Sequence, residues 1–195
     1  MDYDIKRIEK NTPSKGVFFF DTMIWLHILA PQFTKDNNRK NKYIAFFDKV
    51  FQDPGAKIAV SSLSISELTN TYFRNVAVRM YEKEHNTKVH PNEFKTKYRP
   101  SKHFMDQYQI VCDELDSRIH SLIFLEYALK ESDLSEAVNY PKLDFNDYCY
   151  LQICKENNVT LVTDDGDFFV KGIPILTLNN ELVGKYKMEL IKRKS

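Results

Sequence analysis

The chain has 195 residues, with 28 Lys plus Arg against 27 Asp plus Glu and a formal net charge of +1, so no bulk field draws it to a polyanion; such a ligand has to be held by local clusters or metal ions. Hydrophobic residues make up 43% and aromatics 13%, which excludes disorder, and three Cys exclude a disulfide framework. The amino terminus has no apolar run behind its charges, and the strongest hydrophobic stretch, VFFFDTMIWLHILA, is interrupted by Asp21 and His27, so neither a secretion signal nor a membrane span is expected and a reducing, cytoplasmic setting is.

Residues 17–20, VFFF, form a continuous apolar run, the pattern of a strand covered on both faces. TMIWLHILA predicts a helix that Pro31 stops, with Trp25 and His27 as core residues; 43–50 predict another before the Asp53-Pro54-Gly55 turn. KIAVSS (57–62) reads as the second strand, followed by a helix beginning near Ser64. Residues 85–103 turn polar and basic around Pro91 and Pro100, the composition of a mobile loop or broken helical insertion. Phe104, Tyr108, Val111, Leu115, Ile119, Leu122 and Leu129 recur every three to four positions and predict one long helix over 103–130. After Pro141, LDFNDYCYLQICKENN predicts a helix, VTLVT (159–163) a strand ending in the acidic turn DDGDFF, and IPILTL (173–178) a last strand before a basic tail. Strands alternating with helices place the chain in the α/β class with a largely parallel sheet.

Acids fall where such a fold binds ligands. Asp21, Glu67 and the trio Asp164, Asp165 and Asp167 stand at strand carboxyl ends or the starts of following helices, and Asp144 and Asp147 share one helical face. Carboxylates drawn together repel unless a cation or proton compensates them, and a hard oxygen-ligated ion, Mg2+ or Mn2+, is the matching partner. Such ions hydrolyse phosphodiesters with water as nucleophile. Local roles are open to the same residues. Asp21 precedes a helix, Glu67 follows Ser64 at capping-box spacing, and Asp144 and Asp147 open a helix. No Walker loop, GxGxxG or HExxH occurs, and Met23 stands where an aspartyl phosphotransferase needs a second acid.

On VFFFDT (17–22), SSLSISEL (61–68) and DYCYLQICKENNVTLVTDDGDF (147–168), the chain resembles the PIN domain nucleases. The last segment is the most specific, with Thr163, Asp165, Asp167 and Phe168 fitting the family's Thr-x-Asp-x-Asp-Phe turn. The resemblance implies a three-layer α/β/α domain over 1–195 with a central mostly parallel sheet and a mainly helical insertion at about 70–140. It also implies a metal-dependent endoribonuclease. Asp21, Glu67, Asp147 and Asp165 would ligate Mg2+ or Mn2+, Asp167 would bind a second ion or orient water, and Thr22 and Thr163 would position the cluster. Small family members are toxins held by an antitoxin, and many form homodimers. The alternative is a noncatalytic nucleic-acid-binding or regulatory protein on the same fold.

Basic residues are grouped at Arg39, Lys40 and Lys42, at Lys95, Lys97, Arg99, Lys102 and His103, and at Lys185, Lys187, Lys192, Arg193 and Lys194. These offer phosphate contacts, with Tyr98 or Tyr108 for base stacking. Arg74, seven residues after Glu67 and close to the same helical face, is the best single candidate for a substrate phosphate.

Overall fold

Six short strands pair, all in parallel, in the order β1-β6-β5-β2-β3-β4: β1 Asp4–Arg7, β2 Gly16–Phe20, β3 Ala56–Val60, β4 Leu122–Phe124, β5 Thr160–Val162 and β6 Pro174–Thr177. The structure, a computed structural model, describes residues 2–31 and 37–193; the polar positions 34–36 after Pro31 and Lys194 of the tail lie outside them. Successive side chains of β2 point to opposite faces. Phe18 and Phe20 pack with Trp25 of α1 (Thr22–Leu29) and Tyr43, Phe46 and Phe47 of α2 (Asn37–Gln52), whereas Phe19 packs with Tyr150, Leu151 and Cys154 of α7 (Phe145–Asn157). Leu182 of α8 (Asn180–Lys192) joins the second core. Helices on both faces make three layers, and this is why VFFF carries no polar alternation.

The chain leaves β2 toward β3 and β4 on one side and leaves β5 toward β6 on the other, where the N-terminal β1 pairs with β6. The point between β2 and β5 where strand order reverses opens a crevice at the strand carboxyl ends. Register sets Phe20 beside Val162, so Asp21 and Thr163 emerge there side by side.

Residues 70–140 are mainly helical. α3 (Ser62–Tyr72) runs through a π-helical turn, Phe73–Ala77, into α4 (Val78–Glu84); a second π turn, Phe94–Tyr98, precedes α5 (Lys102–Asp116). The helix expected over 103–130 ends at Asp116, where Arg118 folds back onto the Glu114 carbonyl at 2.6 Å, and Leu122–Phe124 pairs with β3 as an edge strand. The helical spacing of Leu115, Ile119 and Leu122 is coincidental: Leu122 is buried beside β3 while Ile119 is 40% exposed. Edge strand β1 is too short and charged to reveal itself; of DIKR only Ile5 is buried. A short α6 (Asp133–Ala137) follows β4, its buried Asp133 accepting from Tyr127 at 2.7 Å and Tyr148 at 3.1 Å. No helix among the described residues is long and apolar enough to cross a membrane. Cys112, Cys149 and Cys154 are unpaired with one another, the last two buried.

Phe19 is fully buried in the central strand, its ring 5.1 Å from that of Tyr150. Phe19→Ala is expected to cost about 3–5 kcal/mol in urea unfolding, and Leu134→Ala, on an exposed helix position, less than about 0.5 kcal/mol.

Candidate active site

Asp21 ends β2 as the N-cap residue of α1, yet its side chain makes no capping hydrogen bond. Its carboxylate instead accepts from the Thr163 hydroxyl at 2.6 Å. The same hydroxyl oxygen accepts from the Asp165 amide at 3.0 Å, so one buried threonine ties the end of β2 to the turn after β5. Asp165 in turn accepts from the Asp167 amide at 2.9 Å, which folds the acidic turn back on itself. Thr163 thus bonds to two of the acids singled out in the sequence, Asp21 and Asp165. Thr22 is buried beside the Tyr150 hydroxyl.

Glu67 is not part of a capping box. Ser61 is the N-cap of α3, and its partner is Ser64, each side chain bonded to the other's amide at 2.8 and 3.0 Å. The helix therefore begins at Ser62, two residues before its expected start, and Glu67 stands on its second turn. The buried hydroxyl of Tyr150 donates to its carboxylate. Burial, then the Glu67 bond and charge, raise the Tyr150 phenol far above its usual range, so it is a permanent donor. Asp144 caps α7, accepting the Asp147 amide at 2.9 Å, with a weaker return bond of 3.4 Å to the Asp147 carboxylate. The local role and a site role thus coexist at Asp147, since most of its carboxylate acceptor capacity stays open.

Electrostatics show which acids act on one another. Burial pushes the Asp21 carboxyl up to about 6; the Thr163 bond opposes this, and the charges of Asp165 and Glu67 add to it. Burial also leads the rise of Asp147 to about 7, followed by Asp144, Asp21 and Asp165. Asp21, Glu67, Asp147 and Asp165 therefore share one field. Asp167 is exposed and is not among the principal charges acting on either buried acid. Asp164 points elsewhere, bonded to Arg39 at 2.9 Å and Tyr43 at 3.0 Å. Among the described residues, no three His, Cys, Asp or Glu side chains meet in a ready-made metal-holding arrangement. The carboxylates share a field without sharing a coordination point.

Two tyrosines complete the site and escaped sequence reasoning, because both lie on apolar helix stripes. Tyr150 looks like a core residue of α7, and only the tertiary structure brings its hydroxyl to Glu67 of α3. Tyr43, fully buried on α2, lies within 3.1 Å of the Thr163 carbonyl and accepts the Leu178 amide at 2.7 Å, joining the ends of β5 and β6 to α2. A Tyr within otherwise apolar text was the available signal. Asn179 adds a bond to the Asp164 carbonyl at 2.7 Å while capping α8.

No protein-family model matches the chain, and no curated protein matches it in sequence. Among solved structures it is similar to a chain of the crystal structure of VapBC2 from Rickettsia felis bound to a DNA fragment from their promoter. The TM-score is 0.51 at 15% identity, over 83% of this chain and 98% of that one. At that identity the likeness is one of fold, and the fold is the PIN-like three-layer α/β/α arrangement expected from sequence.

Both raised acids hold their protons more tightly in the folded chain than in the unfolded one. Their stabilising contribution is complete below about pH 4 and is lost as the pH rises through about 6 and 7. In chelator, thermal unfolding is expected at lower temperature near pH 8 than near pH 5. Asp21→Asn, uncharged and of the same shape, should add on the order of 2 kcal/mol near pH 8 and little near pH 4. Equal stability of variant and parent across that range would refute the raised Asp21 pKa.

Proposed function

We propose that the chain is a divalent-metal-dependent ribonuclease that hydrolyses RNA phosphodiester bonds at the crevice between β2 and β5. The observation carrying this reading is the group of Asp21, Glu67, Asp147 and Asp165: burial, with the charges of Glu67 and Asp165 adding to it at Asp21 and those of Asp144, Asp21 and Asp165 at Asp147, raises the Asp21 and Asp147 carboxyls, and no cation is among the principal influences on either. Its donors are all oxygens, which fits a hard ion, Mg2+ or Mn2+, and not a thiophilic one. These four carboxylates would hold the ion, and Asp167, exposed at the same turn, would hold a second ion or orient water. A bound cation supplies a more acidic attacking water and neutralises charge on the phosphate.

The chain's own residues arrange the acids. Thr163 fixes one oxygen of Asp21. Tyr150 occupies one oxygen of Glu67 and orients the other. The Asp144 cap sets the first turn of α7, from which Asp147 projects. Residues 1–195 act as one domain in this reading, with 70–140 as an insertion. The PIN resemblance also supports an antitoxin-type protein partner and a homodimer, with RNA as the nucleic acid acted on.

Cleavage of a mixed RNA and DNA pool in Mn2+ or Mg2+ is expected in the parent and should fall at least about a hundredfold in Asp21→Asn and in Asp165→Asn. Nucleic-acid binding that survives chelation, with no turnover of any pool member, would assign the chain the noncatalytic role instead. Tyr150→Phe keeps the ring and removes the donor to Glu67, so calorimetric Mn2+ affinity is expected to drop about 10–100-fold while the fold is retained.

A further inference from the structure

Between α3, the two π turns and α5 lies a groove of ≈ 430 Å³ with Arg74, Lys95 and Arg99 on its walls and Phe94, Phe104 and Tyr108 on its floor. No acidic side chain lines it. In a chain of net charge +1, three cations without an interspersed acid are a local concentration of charge that the global balance conceals. Lys95 and Arg99 are exposed, and their side chains have no hydrogen-bond or ion-pair partner among the described residues; Arg74 lies over the Phe94 ring at 4.8 Å. Other basic residues of this region are engaged: Lys102 with Asp106, Lys97 with the Lys88 carbonyl, His103 with Tyr98.

The aromatic floor is built to present a flat face. Tyr108 stacks on the buried Phe73, rings 5.7 Å apart and 7° from parallel, yet remains 48% exposed. Behind it Tyr72 donates to the buried Gln107 at 2.6 Å, locking α5 to α3. Tyr98, the other stacking candidate in the sequence, is fully buried and unavailable. The π turn at Phe73–Ala77 inserts an extra residue into the helix that carries Glu67, and it is this turn that delivers Phe73 and Arg74 to the groove. Ser66 and Asn70, which flank Glu67 on α3, form the near end, so the groove starts within one helical turn of the acid group.

We infer that this groove is a subsite for an unpaired stretch of nucleic acid, one base stacked on Tyr108 and the flanking phosphates on Arg99, Lys95 and Arg74. An exposed ring with a rigid backing beside unpaired cations is the combination that binds single strands without reading sequence. A duplex keeps its bases stacked on one another and cannot use the Tyr108 face. The inference rests on the ribonuclease reading for the direction of the strand, from the groove toward Glu67, and adds the strandedness of the substrate to it.

The test is fluorescence anisotropy of a labelled short single-stranded RNA, its DNA counterpart and the corresponding duplexes, with the full chain carrying Asp21→Asn to block turnover. Tyr108→Ala is expected to weaken single-strand binding about tenfold and Tyr108→Phe less than about twofold. Lys95→Glu with Arg99→Glu, which needs no change in the floor and covers the case of a misfolded Tyr108→Ala, should also weaken binding and reduce its salt slope by about 1–2. Both single strands should outbind their duplexes; an RNA preference over DNA would place the 2′-hydroxyl among the contacts. Unchanged affinity in Tyr108→Ala and the double variant, or duplexes bound as tightly as single strands, overturns the subsite. Binding that depends on Tyr108 beside a parent that cleaves nothing upholds the subsite and removes the ribonuclease reading; cleavage indifferent to all these changes does the reverse.

Discussion

The hydrogen bond from Thr163 to Asp21 joins two neighbouring parallel strands that the chain leaves in opposite directions, and the acidic centre is organised around it. Reversal of strand order between β2 and β5 opens the crevice, and the register of Phe20 with Val162 sets the two side chains adjacent. A buried hydroxyl with one proton donates to one acceptor and accepts from another group; Thr163 spends its proton on Asp21 and its lone pair on the Asp165 amide. Valine has the same shape and neither bond, and would leave the most buried carboxylate of the site without its partner.

The centre carries repulsion that the surrounding structure has to contain. Burial first, and then like charge, raises the Asp21 and Asp147 carboxyls, and the charges that act on them are anchored by separate elements: β2, α3, α7 and the turn after β5. Each anchor is itself braced. Tyr43 fastens the β5 and β6 ends to α2, the Ser61–Ser64 box fixes the start of α3, and Asp144 caps α7. Such bracing resists the outward relaxation that would relieve the repulsion.

The remaining charges sort themselves by distance from this centre. Arg39 neutralises Asp164 beside the acidic turn without entering the acid group. Arg74, Lys95 and Arg99 stand across α3, where the π turn has rotated the helix face. Glu67 of the acidic centre and Arg74 of the basic groove are thus carried by α3 and its π-helical continuation, and a net charge of +1 over the whole chain conceals both local concentrations.

Much of this was legible in the residues alone. VFFF, KIAVSS, VTLVT and IPILTL announce buried parallel strands because helices on both faces require unbroken apolar text, and Asp21, Glu67, Asp147 and Asp165 stand out because acids at strand and helix ends have no core role. Strand β4 was masked by a helical spacing continued from α5, and β1 by having one buried residue; both are edge strands, whose pairing depends on a distant neighbour. Periodicity reports which face of an element is buried and is silent on what covers it. The sequence by itself therefore determined the class of fold, and it named the acids proposed above as a site. Only the tertiary structure decided that Ser61 rather than Ser64 opens α3, that Asp164 serves Arg39, that Tyr150 and Tyr43 turn core positions into supports of the site, and that Tyr108 rather than Tyr98 faces the basic groove, because each of these depends on partners brought together from far along the chain.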